Sequence, residues 1–332
     1  MEPTRIAPRV LLIKTSSMGD LVHTLSALQE AQDLVPGLSI DWVCEESFVD
    51  IPPLINAVDR VIVVAMRRWK KNLFSFSTGR EIGRFLQALR ERHYDLVIDA
   101  QGLLKSSWIA MAARADARWG FDWSSAREPL AALMVGHRVC APSQWHAIER
   151  LRTLLSSALG YAPRSAISWI ESFPAPSDSK KILFLHGTSR VTKAWPEGHW
   201  IELGVALVQK GYQVLLPHGS SQERQQALRI AQGIDGGSGV GAQVLTAMTL
   251  AQMIDLFRQT AGAVGVDSGL MHLAVALGRP TVAVMCASHL PQYCASRFAP
   301  SWAPHAQVVQ REANGQEISV GAVLTAWESS RT

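Results

Sequence analysis

Short apolar runs of four or five residues recur along this chain, and segments with apolar residues at helical spacing alternate with them. Val10–Lys14, Ile40–Cys44, Arg60–Val64, Leu96–Asp99 and Arg118–Phe121 read as strands. Leu21–Leu34, Gly79–Arg92, Leu104–Arg114 and Trp145–Leu159 read as helices. That alternation leaves few solutions, and the economical one is a parallel sheet covered by helices. A Pro- and Ser-rich stretch, Glu171–Ser179, lacks periodic apolar residues and reads as a linker. The alternation then restarts. Lys181–His186, Gln213–Pro217, Gln243–Leu245, Ala263–Val266 and Thr281–Met285 are strand-like, and Trp200–Lys210, Ser221–Gln232, Leu250–Arg258 and Met271–Leu277 are helix-like.

The expected fold class is therefore α/β, with two Rossmann-like domains facing each other across a cleft. Their bounds are 1–170 and 181–318, joined by a linker at 171–180, and a length of 332 residues suits two cores better than one. The closing stretch 319–332 is expected to hold a helix, with packing back on the first domain as one option.

Thirty-two basic residues against 28 acidic ones give a net charge of +4, which suits an anionic ligand or surface without demanding nucleic acid. The four cysteines form no CxxC pair and no zinc-ligand spacing, and Cys44, Cys140 and Cys286 lie in or beside apolar runs, so they are expected to be buried and reduced. Val10–Ile13 is too short for a signal-peptide core, and no run approaches the roughly 18–20 apolar residues that cross a bilayer. A cytoplasmic protein, soluble or peripheral, is the expectation.

Chemistry concentrates in the strand-to-helix turns. Thr15-Ser16-Ser17-Met18-Gly19-Asp20 follows the first strand, has no large side chain before the helix except Met18, and ends in one carboxylate. Such a turn opens at the ligand-binding edge of an α/β sheet and would aim Asp20 there as a base for a substrate hydroxyl. In the second half, Gly265-Val266-Asp267-Ser268-Gly269-Leu270-Met271-His272 ends a strand and opens a helix, a place that binds phosphate. A plain helix cap with a structural histidine explains that segment equally well. The loop His186–Pro196 adds Thr188, Ser189 and Lys193, two hydroxyls and a point charge suited to phosphate. Glu223 could accept from ribose hydroxyls, although a first-turn helix acid is the plainer reading. Gly236–Gly241 precedes a strand and so fails the context of a dinucleotide fingerprint.

Met66–Phe74 gathers Arg67, Arg68, Lys70 and Lys71 with Trp69 and Phe74 in a stretch without clear secondary structure. It reads as a solvated basic loop, or as a contact for anionic sugars or lipid phosphates with its aromatics at a membrane interface. Lys105, Arg127 and His146 are further polar candidates, each of which a surface or capping role would also explain.

Taken together, Lys14–Asp20, Asp99–Ser106, Ala126–Leu130, Lys193–Pro196 and Asp267–His272 resemble the lipopolysaccharide heptosyltransferase I family, inverting glycosyltransferases of the GT-B fold. The resemblance covers nearly the whole chain. It implies transfer of L-glycero-D-manno-heptose from ADP-heptose to a Kdo sugar of Kdo2-lipid A, at the cytoplasmic face of the inner membrane. Asp20 would be the catalytic base, with Lys193 assisting the leaving group. Thr188, Ser189, Lys193, Glu223, Met248, Asp267, Ser268, Gly269 and His272 would surround the donor. Ser16, Ser17, Gly19, Arg67, Arg68, Lys71, Lys105, Arg127 and His146 would lie on the acceptor side. Ser189 and Ser268 stand where the family often has threonine, and both keep the hydroxyl. No cofactor, no metal and no nucleic acid is implied, and the chain shows no DxD pair. The rival readings are a second heptosyltransferase that adds to a heptose, a GT-B-like sugar-nucleotide epimerase, and a non-catalytic nucleotide-binding module.

Overall fold

Val10, Leu11, Leu12 and Ile13 are all at most 1% exposed, as a central strand covered on both faces requires. The computed structural model describes residues 8–72, 75–167, 178–188, 190–288, 290, 295–311 and 316–330. Contacts divide the chain into two units, Met1–Ser168 and Trp169–Thr332.

The first unit runs β1 (Arg9–Ile13), α1 (Met18–Leu34), β2 (Ser39–Glu45), β3 (Val58–Val64), α2 (Met66–Lys71) and α3 (Phe76–Arg90). It continues with β4 (His93–Asp99), α4 (Leu104–Ala112), β5 (Arg114–Phe121), β6 (His137–Val139) and α5 (Ala147–Leu159). Six parallel strands stand in the order β3-β2-β1-β4-β5-β6. The chain winds outward from β1 in one direction and from β4 in the other, so the crevice beyond the carboxyl ends of β1 and β4 is the topological switch point. Helix α1 is buried along most of its length, and Glu30 in its fourth turn meets Arg152 of α5 at 2.6 Å, both side chains at most 3% exposed.

The second unit repeats the plan with β7 (Lys181–Leu185), α6 (Glu197–Gln209), β8 (Gln213–Leu216), α7 (Ser221–Asp235), β9 (Ala242–Val244) and α8 (Leu250–Arg258). Then come β10 (Gly262–Val266), α9 (Gly269–Ala276), β11 (Thr281–Met285), α10 (Ala295–Phe298), β12 (Ala306–Gln310) and α11 (Val320–Ser329). The order β12-β11-β10-β7-β8-β9 is again fully parallel, with its switch point between β7 and β10.

Every strand and helix expected from periodicity is present, with ends shifted by a few residues. Two edge strands, β6 and β12, were not foreseen. His137-Arg138-Val139 and Ala306–Gln310 are short and partly exposed, so they carry little apolar signal. Cys44 and Cys286 are buried, but Cys140 is exposed just past β6, contrary to expectation. Residues 171–177 of the expected linker lie outside the described residues, as do Ser189, Phe74 and Cys294. The closing helix α11 places Val320, Val323 and Trp327 in the core of the second unit, where Trp195 Nε1 donates to Ile318 O at 3.0 Å. Its apolar face is thus used within its own unit.

Candidate active site

Asp20 is the third residue of α1, and its carboxylate turns back on the helix start. Oδ2 accepts from Ser17 N at 3.0 Å and Ser17 Oγ at 2.9 Å, while Oδ1 lies 3.8 Å from Lys14 Nζ. The Asp20 side chain is 31% exposed, and that of Lys14 is 8% exposed. Burial raises the Asp20 pKa, but Lys14, the Ser17 bonds and the more distant Arg127 outweigh it and hold the carboxyl below its ordinary value. Burial draws the Lys14 ammonium below the usual lysine range, with Asp20 and Asp99 opposing that shift. Lys14 Nζ also donates to Ala100 O at 2.9 Å.

The β4–α4 turn completes this edge. Gln101 Oε1 accepts from Thr15 N at 3.1 Å and Ser16 N at 3.4 Å, which pins the loop between β1 and α1. Asp99, buried and pushed up in pKa by that burial, accepts from Gln101 N, Gly102 N, Ser106 Oγ and Ser107 Oγ at 2.6–3.1 Å. The proposed base therefore sits beside the switch point of the first sheet, on a frame of two loops. Lys14 and Gln101 are contributors that the sequence reading did not single out. The available signal was a lone lysine ending an apolar strand six residues before a carboxylate.

Lys105 and Arg127 are exposed on either side of the α4 start, and Glu128 N donates to Gly102 O at 3.0 Å, which holds the Arg127 segment against the Gln101 turn. His146 caps α5, its Nδ1 accepting from Ile148 N at 3.2 Å, and its ring meets His23 edge-on with centroids 5.8 Å apart. The Arg67–Lys71 segment differs from expectation. It is helix α2, not an irregular loop. Trp69 is buried and its Nε1 donates to Glu81 at 2.8 Å, so this ring belongs to the core rather than to a membrane interface. Arg68 pairs with Glu46 at 3.0 Å and with Glu81 at 2.8 Å, and Arg67 N donates to Glu45 while its guanidinium lies over Phe48. Lys71 is exposed at the end of α2.

In the second unit, the loops after β7 and β10 meet across the corresponding switch point. Lys193 Nζ lies 2.5 Å from Asp267 Oδ2, and His272 Nε2 donates to Asp267 Oδ1 at 3.3 Å. Burial raises the Asp267 pKa, but His272 and Lys193 outweigh it and drive the carboxyl far below the usual range. Ser268 caps α9, its Oγ accepting from Met271 N at 3.4 Å, and Gly269 opens the helix without a side chain. Thr188 is half-buried in the preceding loop.

Glu223 lies in the first turn of α7, as the plainer reading held, yet its carboxylate reaches the β7 loop. Oε2 accepts from Gly219 N at 2.6 Å, and a Cβ at Gly187 would lie 2.8 Å from the Glu223 carboxyl carbon. His186, buried below, donates through Nε2 to Glu223 O at 3.2 Å. Met248 is half-buried just before Thr249, the cap of α8. A groove of about 640 Å³ at the opposite end of this sheet, where Lys181 and Gln213 begin β7 and β8, holds none of these residues. Among the described residues, no three His, Cys, Asp or Glu side chains are grouped as metal ligands.

Comparisons with known proteins give the family and the fold. The model of Glycosyltransferase family 9 (heptosyltransferase) matches residues 82–321. Lipopolysaccharide heptosyltransferase 1 of Pseudomonas aeruginosa is 45% identical over 283 residues, covering 83% of this chain and 78% of that protein. The solved structure of E. coli heptosyltransferase WaaC with ADP superposes with a TM-score of 0.86 at 37% identity, covering 97% of this chain and 99% of that one. The same enzyme with ADP-2-deoxy-2-fluoro heptose gives a TM-score of 0.83 at 37% identity, covering 96% and 99%.

Proposed function

Because the chain belongs to glycosyltransferase family 9, the heptosyltransferases, we propose that it moves L-glycero-D-manno-heptose from ADP-heptose to a Kdo residue of Kdo2-lipid A, with Asp20 as the base. The chain is a glycosyltransferase of lipopolysaccharide inner-core synthesis with two parallel α/β units of the GT-B type. The similar solved structures bind ADP and a fluorinated ADP-heptose, which supports ADP-heptose as the donor here.

The observation that carries the reading is the Asp20 carboxylate held between Lys14 and Ser17 at the switch point of the first sheet. Ionised at neutral pH, it is a weak base toward a resting hydroxyl. It gains strength as the acceptor oxygen attacks the anomeric carbon and its proton becomes acidic. Attack opposite the leaving diphosphate inverts the centre. Growing charge on ADP falls to Lys193 and to the free amides at the start of α9, beside Ser268 and Gly269. The Asp267 and Glu223 carboxylates are acceptors and so suit sugar hydroxyls rather than phosphate. Thr188, Ser189, Met248 and His272 complete the proposed donor set. On the acceptor side the reading keeps Ser16, Ser17, Gly19, Lys105, Arg127 and His146, with Arg67, Arg68 and Lys71 further along the sheet edge. No cofactor enters it.

Among the described residues, no helix is long and apolar enough to cross a membrane. The proposal therefore has the enzyme meet its lipid-anchored acceptor from the cytoplasmic surface of the inner membrane. The test is ADP release from ADP-heptose with Kdo2-lipid A, set beside an acceptor that already carries a heptose. Faster release with the unheptosylated acceptor is expected. Equal or faster release with the heptosylated one would overturn the assignment.

A further inference from the structure

Four large apolar side chains of the first unit stand exposed on two neighbouring elements: Trp108 at 66%, Met111 at 51%, Leu130 at 55% and Leu133 at 59%. Trp108 and Met111 are three residues apart on α4 and so share a face. Leu130 and Leu133 are three apart on the 3-10 turn Pro129–Met134, where such residues eclipse. The two elements pack together, and Met111 and Leu133 line one open groove of about 440 Å³. Single exposed apolar residues are ordinary, but four on two packed elements mark a contact site.

The surrounding charge is basic. Arg118 and Arg138 form walls of the same groove, and Lys105 lies one turn before Trp108. The guanidinium nitrogens of Arg118 donate to Ala110 O and Ala113 O, and Arg138 Nε donates to Ala132 O. Among the described residues, none of these three cations is ion-paired. Asp116 also lines the groove, 3.3 Å from His93, and Glu128 caps α4 at Leu104 N, so three cations stand against two carboxylates around the patch.

We propose that this α4 and 3-10 surface docks on an anionic phospholipid bilayer, with Trp108, Met111, Leu130 and Leu133 entering the interface and the basic rim facing lipid phosphates. An indole among aliphatic side chains, ringed by cations, fits a bilayer boundary better than a protein groove. The purpose of the contact rests on the lipid-anchored acceptor proposed above. Helix α4 starts at the turn whose Gln101 holds Thr15 and Ser16, so docking there brings the bilayer beside the loop that carries Asp20.

The test is co-sedimentation of the full chain with vesicles of phosphatidylcholine alone, or mixed equally with phosphatidylglycerol. Preferential binding to the anionic vesicles, weakening with salt, is expected. Trp108→Ser/Leu133→Ser should lower that partitioning about tenfold or more. The same variant should keep its ADP affinity and its rate with a de-acylated, water-soluble Kdo acceptor. Vesicle binding unchanged by the double substitution would overturn the proposal. So would a wild-type dimer that dissociates in the variant without any loss of vesicle binding. Tight patch-dependent binding without heptose transfer to any Kdo acceptor would support the surface while removing the proposed acceptor.

Discussion

Lys14 Nζ lies 3.8 Å from Asp20 Oδ1, so an ammonium buried at the end of β1 is the counter-charge of the proposed base. Its second bond, to Ala100 O at 2.9 Å, ties that charge to the loop after β4. Lys14 thus acts on both the protonation of the base and the geometry of its loop, beside the Ser17 and Gln101 bonds.

Replacing that residue should show this in the pH dependence of the rate. The wild-type Asp20 pKa is held below its ordinary value, so its protonation should leave no acid limb at pH 5–7. Lys14→Met removes the cation and leaves the carboxyl half-buried without it. The acid limb should move up in pH and kcat should fall, while ADP affinity in calorimetry stays close to wild type. An unshifted limb would separate Lys14 from the base.

Lys193→Ala should weaken donor binding and slow transfer together. The variant removes a cation proposed for the leaving diphosphate, and it removes one of two partners of the buried Asp267 carboxylate. Steady-state kinetics with ADP-heptose should show KM rising and kcat falling; unchanged values of both would take Lys193 out of the site.

Gly187→Ala tests Glu223 without touching it. A Cβ there would sit 2.8 Å from the carboxyl carbon, so the side chain must swing away and give up its 2.6 Å bond from Gly219 N. Loss of a charge-assisted bond costs about 1.5–3 kcal/mol. The melting temperature should fall by a few degrees, and the donor KM should rise because the displaced carboxylate no longer meets the donor. A normal donor KM would show that Glu223 does not meet the donor.

Asp267 should make the second unit acid-sensitive. Its folded-state pKa lies below the unfolded value, so the carboxylate contributes stability above about pH 4 that is lost as pH falls through the folded pKa. Asp267→Asn should be less stable than wild type at pH 7, and the gap should narrow at pH 3. Urea midpoints at the two pH values measure it, and a constant gap would contradict the linkage.

Most of the fold was legible because central strands such as β10 and β11 are buried throughout, and their apolar runs cannot be mistaken for surface. The edge strands β6 and β12 escaped because half-exposed positions relax that pattern. The basic run at Arg67–Lys71 misled for a different reason. Its cations are adjacent in sequence, but Arg68 spends its charge on Glu46 and Glu81, which come from other elements. Glu223 shows the converse, since its spacing said first-turn helix acid and only the fold brings it to Gly187. Lys14 was visible as a residue and invisible as a partner, because the turn between it and Asp20 had to close before the pair existed.

The most direct measurement is single-turnover transfer from ADP-heptose to Kdo2-lipid A by Asp20→Asn, with ADP binding followed in parallel. The amide keeps the shape of the side chain and cannot take the proton. The expected result is a rate about 10²–10⁴-fold lower with ADP affinity preserved. A rate near wild type would contradict the account.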